Sequence, residues 1–254
     1  MTEPMLAADI AGIAWPLALV AVITIGLGAA IQATIGLGMA VLAAPILALI
    51  DPEFLPVTTI VMVLPLSFGV ARRERQHIAW KDAGIALCGR LPGVILGSLL
   101  LARTGTGAIR LLVGVSVLLA VVTSVTGFRV TTSARNLVVA GLASGFSGTA
   151  AGIGGPPIAL AYQHEKPSTT RATLAAFFGL GSILSFAGLA AVGEVHQRHI
   201  ALCALLLPGV LIGLALSRPV ISRFPEHRVR FALLATCSIS ALLLLAETAV
   251  EMLR

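Results

Sequence analysis

Between Ile10 and Ile50 the chain contains no Asp, Glu, Lys or Arg, and the same is true from Asn136 to His164. No other feature restricts the fold as much. A bilayer core takes about 20 apolar residues per helix, so runs of this kind suit membrane spans better than buried helices of a soluble domain. The rest of the chain agrees, at 57% hydrophobic and 11% charged residues, well outside the usual soluble balance. No alternating apolar pattern with strands of about ten residues suggests a barrel. Lipid leaves no water to satisfy backbone groups, so the remaining solution is an all-α integral membrane protein.

Ten apolar segments can be drawn, five in each half. They are roughly 12–33, 35–50, 54–71, 83–102 and 108–127, then 136–151, 153–163, 172–193, 200–217 and 231–250. Two landmarks tie the halves together. Gly36-Leu37-Gly38 recurs as Gly152-Ile153-Gly154, followed by Gly155-Pro156-Pro157, 116 residues later. Leu91-Pro92-Gly93 through Gly97 recurs as Leu207-Pro208-Gly209 through Gly213 at the same offset. One transmembrane domain of two repeats, 12–127 and 136–250, is therefore expected, with the polar stretch from Phe128 to Arg135 between them.

The first two segments of each repeat do not read as two ordinary spans. From Asn136 to Tyr162 a helix would be about 40 Å long at 1.5 Å per residue, too long for one crossing and too short for two. Glycines and prolines sit in its middle. A broken pair of short or half-length helices is expected, with the break covered by protein or facing a watery cavity. With three further helices per repeat, the total is about 8–10 membrane segments.

Charge supplies orientation. Arg72, Arg73, Arg75 and Lys81 make one strongly positive loop, and Arg218, Arg223, Arg228 and Arg230 make another. The positive-inside rule places both on the cytoplasmic side. The first follows the third segment of its repeat and the second follows the fourth, so equivalent loops face opposite sides and the repeats read as inverted. The net charge of +6 is thus topological and does not indicate nucleic-acid binding. Glu3 and Asp9 precede the first apolar run, which does not suit a cleaved signal peptide. Cys88, Cys203 and Cys237 lie in apolar segments without metal-ligand spacing and read as small buried hydrophobes.

Matched helix breaks in the two halves of a membrane protein point to a substrate site. Glycine permits close approach and exposes N–H groups, and a helix starting at the break aims its positive end at the cavity, which favours an anion. Candidate binding residues are Gly36, Gly38, Gly152, Gly154 and Gly155, with Gln32, Thr34, Ser147 and Thr149 beside them. Arg90 joins the set because a lone cation in mid-segment is costly and no Asp or Glu falls inside a span. The same lack of intramembrane acids argues against a cationic substrate. His164, His196 and His199 stand at segment edges and read as loop residues.

These residues resemble the TauE/SafE sulfite-exporter family. Each half of such proteins opens with a G-x-G-G-G-x-x-x-x-P-like signature. Gly36 to Pro45 keeps that spacing, with Met39 and Ala40 in place of further glycines, and Gly152 to Pro157 is closer to it. Arg72-Arg73-Glu74-Arg75 before His77-Ile78-Ala79-Trp80 resembles the family's Arg-rich loop and following motif, with Ala79 replacing an acid. The likeness runs from about Gly26 to Leu245. It implies a secondary transporter, an exporter of sulfite or an organosulfonate, in a bacterial inner membrane.

No P-loop, zinc-binding His-Glu-x-x-His or Gly-x-Ser-x-Gly nucleophile motif occurs, so neither an enzyme nor a cofactor or resident metal is expected. The expected partners are a small anionic solute and the lipid bilayer; a homodimer stays open. Two alternatives also stay open: a channel-like anion permease, and a membrane assembly protein without solute flux.

Overall fold

The computed structural model describes residues 9–104, 106–125 and 131–217, together with 235, 236, 238–240, 242, 243, 245 and 246. The second positive loop, Arg218–Arg230, and most of the tenth segment lie outside the described residues. A two-residue ladder, β1 (Asp9–Ile10) with β2 (Ile13–Ala14), precedes the helices.

The first half of the chain holds α1 (Trp15–Ile35), α2 (Met39–Ile50), α3 (Val57–Arg73), α4 (Trp80–Leu101) and α5 (Thr106–Val125). The second half holds α6 (Ala134–Ala151), α7 (Gly155–Ala161), α8 (Pro167–Ala191) and α9 (Arg198–Leu216). Each of these nine helices matches one of the apolar segments drawn from the sequence. Four of them, α1, α4, α8 and α9, are long and apolar enough to cross a membrane. The chain is an all-α multi-pass membrane protein.

The broken pairs exist, but their arms are unequal. The first arms contain 21 and 18 residues, about 31 and 27 Å of helix, and the first of them, α1, is long and apolar enough to cross the bilayer alone. Only the second arms are short, at 12 and 7 residues. Where the sequence suggested a pair of short or half-length helices, a longer helix ends in a tight turn and a short one doubles back. Asp51, just after α2, pairs with Arg198, which stands beside Gly12 ahead of α1. Likewise Thr132, just ahead of α6, donates a 2.7 Å hydrogen bond to the Ala161 carbonyl at the end of α7.

The turns require glycine. Gly36 has φ +102° and Gly152 has φ +75°, backbone conformations that cost an ordinary L-residue about 1 kcal/mol or more. Each ends its helix as a left-handed cap.

α4 lies along α6 and α9 along α1, while α3 packs on α8. The second landmark forms these interfaces. A Cβ on Gly93 would come 2.8 Å from the Phe146 nitrogen, and one on Gly97 would come 2.8 Å from the Phe146 oxygen. In the other pair, Gly209 and Gly213 abut the backbone of Val22 and Gly26. Helices in lipid gain little by hiding apolar surface from one another, so close backbone approach at small residues drives their association.

Two ends of the bundle can be told apart. At one, Arg73 at the end of α3 donates to the Ala33 carbonyl of α1 at 2.9 Å and to Ser217 Oγ, just after α9, at 3.1 Å. Glu74 there meets Arg171 near the start of α8 at 3.1 Å. At the opposite end, Arg198 of α9 pairs with Asp51 and Glu53. There the start of α3 (Val57, Ile60) packs with Leu101 and Leu189, which finish α4 and α8. α3 and α8 therefore run antiparallel. The chain's two tryptophans, Trp15 and Trp80, are exposed and open α1 and α4 at opposite ends, as interfacial aromatic residues do.

Candidate functional site

Between the breaks lies a cavity of about 30 Å³. α1 and α2 contribute Gln32, Gly38, Ala40 and Val41, and α3 contributes Ile60 and Val63. Arg90 comes from α4, Gly148, Gly152, Gly154 and Gly155 from the second break, and Phe178 and Ser182 from α8. The two breaks meet here, since a Cβ on Gly155 would come 3.9 Å from the Leu37 Cβ.

Arg90 is the site's charged group. It is 3% exposed and has no ion pair with a described carboxylate. Nη1 donates to Ser144 Oγ at 3.1 Å and Nη2 to Ser185 Oγ at 3.2 Å, while Nε is buried without a partner. The guanidinium carbon stands 5.0 Å from the Phe177 ring centroid, a distance suited to a cation–π contact. Guanidinium has five N–H donors in a fixed fork, so two neutral hydroxyls leave it short of acceptors and with its charge uncompensated. An anion would supply both.

The second break is tied to this cation. Ser144 Oγ, which accepts from Arg90, donates on to the Gly154 carbonyl at 2.5 Å. Thr149 Oγ1 donates to Ser185 Oγ at 2.9 Å, so Thr149 supports an Arg90 partner from behind. Glycines give the side chain its room. A Cβ on Gly181 would lie 2.6 Å from the Arg90 Cζ, and one on Gly145 would lie 2.9 Å from its Cγ.

The first break is held differently. Gln32 Oε1 accepts from the Met39 nitrogen at 3.0 Å, capping one of the first-turn donors that a helix leaves without internal acceptors. The next two residues of α2, Ala40 and Val41, line the cavity, and their N–H groups are likewise without intrahelical acceptors. The short α7 differs, because Pro156 and Pro157 in its first turn carry no N–H. The expectation that both breaks present rows of amide donors thus fits α2 better than α7; beside α7 the donors come from Arg90.

Of the residues singled out from the sequence, Gln32, Gly38, Arg90, Gly152, Gly154 and Gly155 line the cavity together. Thr149 reaches it only through Ser185. Thr34 does not line it: its hydroxyl donates to Ala30 and Ser217 carbonyls at the Arg73 end. Gly36 abuts Arg171, with a Cβ there 3.2 Å from the Arg171 Cα. Ser147 donates to the Ala143 carbonyl in its own helix at 2.9 Å and is not among the lining residues.

A comparison with protein families gives the context. The family model of the sulfite exporter TauE/SafE matches residues 13–244. The chain belongs to the TauE/SafE sulfite exporter family. Comparisons with curated proteins and with solved structures return no match. The matched stretch takes in every helix from α1 to α9, and so the whole cavity.

In this TauE/SafE chain, Ser144, Ser185, Gly181 and Phe178 were not singled out from the sequence. Serine and glycine are ordinary in membrane helices, and nothing local sets these apart. Repeat comparison offers no help either. The positions 116 residues away from Arg90, Ser144, Ser185 and Gly181 are Leu206, Gly28, Gly69 and Pro65. The polar residues around Arg90 have no like residue at that offset.

Proposed function

We propose that this chain is a secondary carrier of a small sulfur-containing anion, bound at Arg90 between two inverted repeats and moved outward across a bacterial inner membrane. The observation that carries the reading is a buried cation without a carboxylate partner, beside the point where both glycine breaks meet. Family membership supports the sulfur chemistry. The antiparallel run of α3 and α8, counterparts in the two repeats, supports the inversion.

The cavity favours a compact ion. About 30 Å³ accommodates about two water molecules, each needing roughly 10–15 Å³ by this measure. Sulfite suits such a space better than a chain-bearing organosulfonate. Three of its atoms accept hydrogen bonds, matching the unused donors of Arg90 and the α2 first turn.

The contacts at the two ends of the bundle, Arg73, Glu74 and Arg171 at one and the apolar cluster around Leu101 and Leu189 at the other, are the closures this reading assigns to the cavity. Alternating access then consists of loosening one closure at a time as the repeats rock about the site. The positive loop from Arg72 to Lys81 faces the cytoplasm in this reading. Solute enters at the Arg73 end and leaves past Leu101 and Leu189.

The test is uptake and counterflow of radiolabelled sulfite in proteoliposomes of the purified chain, beside sulfate and taurine. Saturable sulfite flux, accelerated by unlabelled sulfite on the far side, is the expected result. Flux without saturation or counterflow would indicate a channel-like permease instead. Absence of flux for every sulfur anion, from folded and reconstituted protein, would refute the carrier reading.

A further inference from the structure

The α3–α8 pair has a second face. Ile60, Val63, Phe178 and Ser182 look into the Arg90 cavity, and on the other side the same two helices form a groove of about 690 Å³. That is within the roughly 300–1,000 Å³ of sites that hold sizeable organic ligands. Its chemistry is graded along its length. The floor is made by small residues, Ser67 and Ala71 from α3 and Ala175 and Gly179 from α8. A Cβ on Gly179 would press within 3.3 Å of the Ser67 Cβ, so the depth depends on the missing side chain. Phe68, Leu180 and Ile183 form apolar walls and are exposed, Phe68 at 70%.

One mouth of the groove is cationic. Arg72 and Arg75 line it beside exposed Trp80. Both arginines are exposed and neither forms an ion pair with a described residue, whereas Arg73 between them is engaged with Ala33, Ser217 and Glu74. The opposite end of the groove, at Leu64 and Ile183, carries no charge among its lining residues, and the positions 116 residues after Arg72 and Arg75 are Gly188 and Ala191. The groove therefore asks for a ligand with a long apolar body and an anionic group at one end only.

We propose that this groove binds an anionic phospholipid, with an acyl chain along the α3–α8 seam and the phosphate headgroup held by Arg72 and Arg75. A trench between spanning helices with an apolar floor meets acyl chains in a bilayer. Free cations at one mouth select which headgroup stays, as basic pockets between membrane helices do. The tryptophan beside them marks the same interfacial level. Ser67 adds a buried hydroxyl without a protein partner on the groove floor. This inference rests on membrane residence and not on the anion-carrier reading. The lipid would be seated on the backs of the two helices that line the Arg90 cavity.

The experiment equilibrates the purified full chain with equal amounts of phosphatidylglycerol and phosphatidylcholine in non-ionic detergent and reads retained lipid by native mass spectrometry. The variants are Arg72→Gln with Arg75→Gln and, as a control with equal loss of charge at the same end, Arg135→Gln with Lys166→Gln. A phosphatidylglycerol carrying a diazirine on its acyl chain is cross-linked in parallel and mapped to peptides. Retained phosphatidylglycerol should exceed phosphatidylcholine. The Arg72/Arg75 pair should lower it roughly 30-fold, from about fivefold per cation near an anionic headgroup, and the control pair should not. Cross-links should fall between 64 and 71 and between 175 and 183. Equal retention of the two lipids, equal loss in both double variants, or cross-links elsewhere would overturn the proposal. So would a lipid-free dimer with these peptides cross-linked between copies, which would make a second copy the occupant. Circular dichroism of each variant separates lost binding from lost fold.

Discussion

Gly181 of α8 gives Arg90 its place: a Cβ at that glycine would lie 2.6 Å from the arginine Cζ. Ser144, Ser185 and the Phe177 ring hold the guanidinium, Gly145 makes room for its Cγ, and its remaining side faces the cavity. Gly181→Ala should therefore displace the guanidinium from its two hydroxyls while leaving the helices paired. Overpacking of this kind costs about 1–3 kcal/mol. Sulfite flux should fall on the order of tenfold with only a modest drop in thermal midpoint. Unchanged flux from Gly181→Ala would show that the position of Arg90 does not matter for transport.

Arg90 itself separates function from stability. A buried cation with no carboxylate partner carries an uncompensated desolvation cost, so replacing it by an apolar side chain of similar length removes a burden on the fold. Arg90→Met should keep or raise the thermal midpoint and abolish both sulfite flux and any stabilisation by sulfite. Arg90→Lys should not rescue, because an ammonium lacks the planar fork that spans Ser144 and Ser185. A large fall in stability in Arg90→Met would mean the arginine is structural.

Gln32 caps the first break through Met39, so Gln32→Leu should fray the start of α2. Losing a cap of this type costs about 1 kcal/mol. Hydrogen exchange at Met39, Ala40 and Val41 should accelerate about fivefold if that cost falls on local opening, whereas amides of α7 should be unaffected. Equal acceleration in both short helices would contradict independent capping of the two breaks.

The Glu74–Arg171 pair links the end of α3 to the start of α8 beside Gly36. If it helps close the Arg73 end, Glu74→Gln should open that side. Val41→Cys, placed in a background with serine at Cys88, Cys203 and Cys237, gives a reporter in the cavity. Alkylation from the Arg73 side should speed up about threefold to fivefold, in line with a pair worth about 1 kcal/mol. The exchange Glu74→Arg with Arg171→Glu should restore the slow rate. Labelling that is insensitive to both changes would remove this pair from the gate.

The segments, their order and the two breaks were readable in the chain because each depends on local chemistry. Uncharged runs must be helical in lipid, and a glycine two residues from another marks where the helix stops. Hence α1 to α9 fall close to the expected ranges, and Gly36 and Gly152 end α1 and α6. The lengths of the arms were less legible. Apolar composition continues through the turn, and only the left-handed caps decide that α1 and α6 run their full length before reversing.

The site divides along the same line. Sequence alone determined that a glycine break occurs in each half and that Arg90 stands alone among apolar neighbours, because both facts concern residues adjacent in the chain. The fold decided that these features share one cavity, and that Thr34, Gly36 and Ser147 face elsewhere. It also decided that Ser144 and Ser185 are the serines that accept from Arg90. Their spacing from Arg90 along the chain carries no signal; what brings them within hydrogen-bond reach is the close glycine packing of α4 on α6 and α8. A buried guanidinium has whatever three-dimensional neighbours the fold supplies, and here those are hydroxyls and an opening, which leave its charge uncompensated.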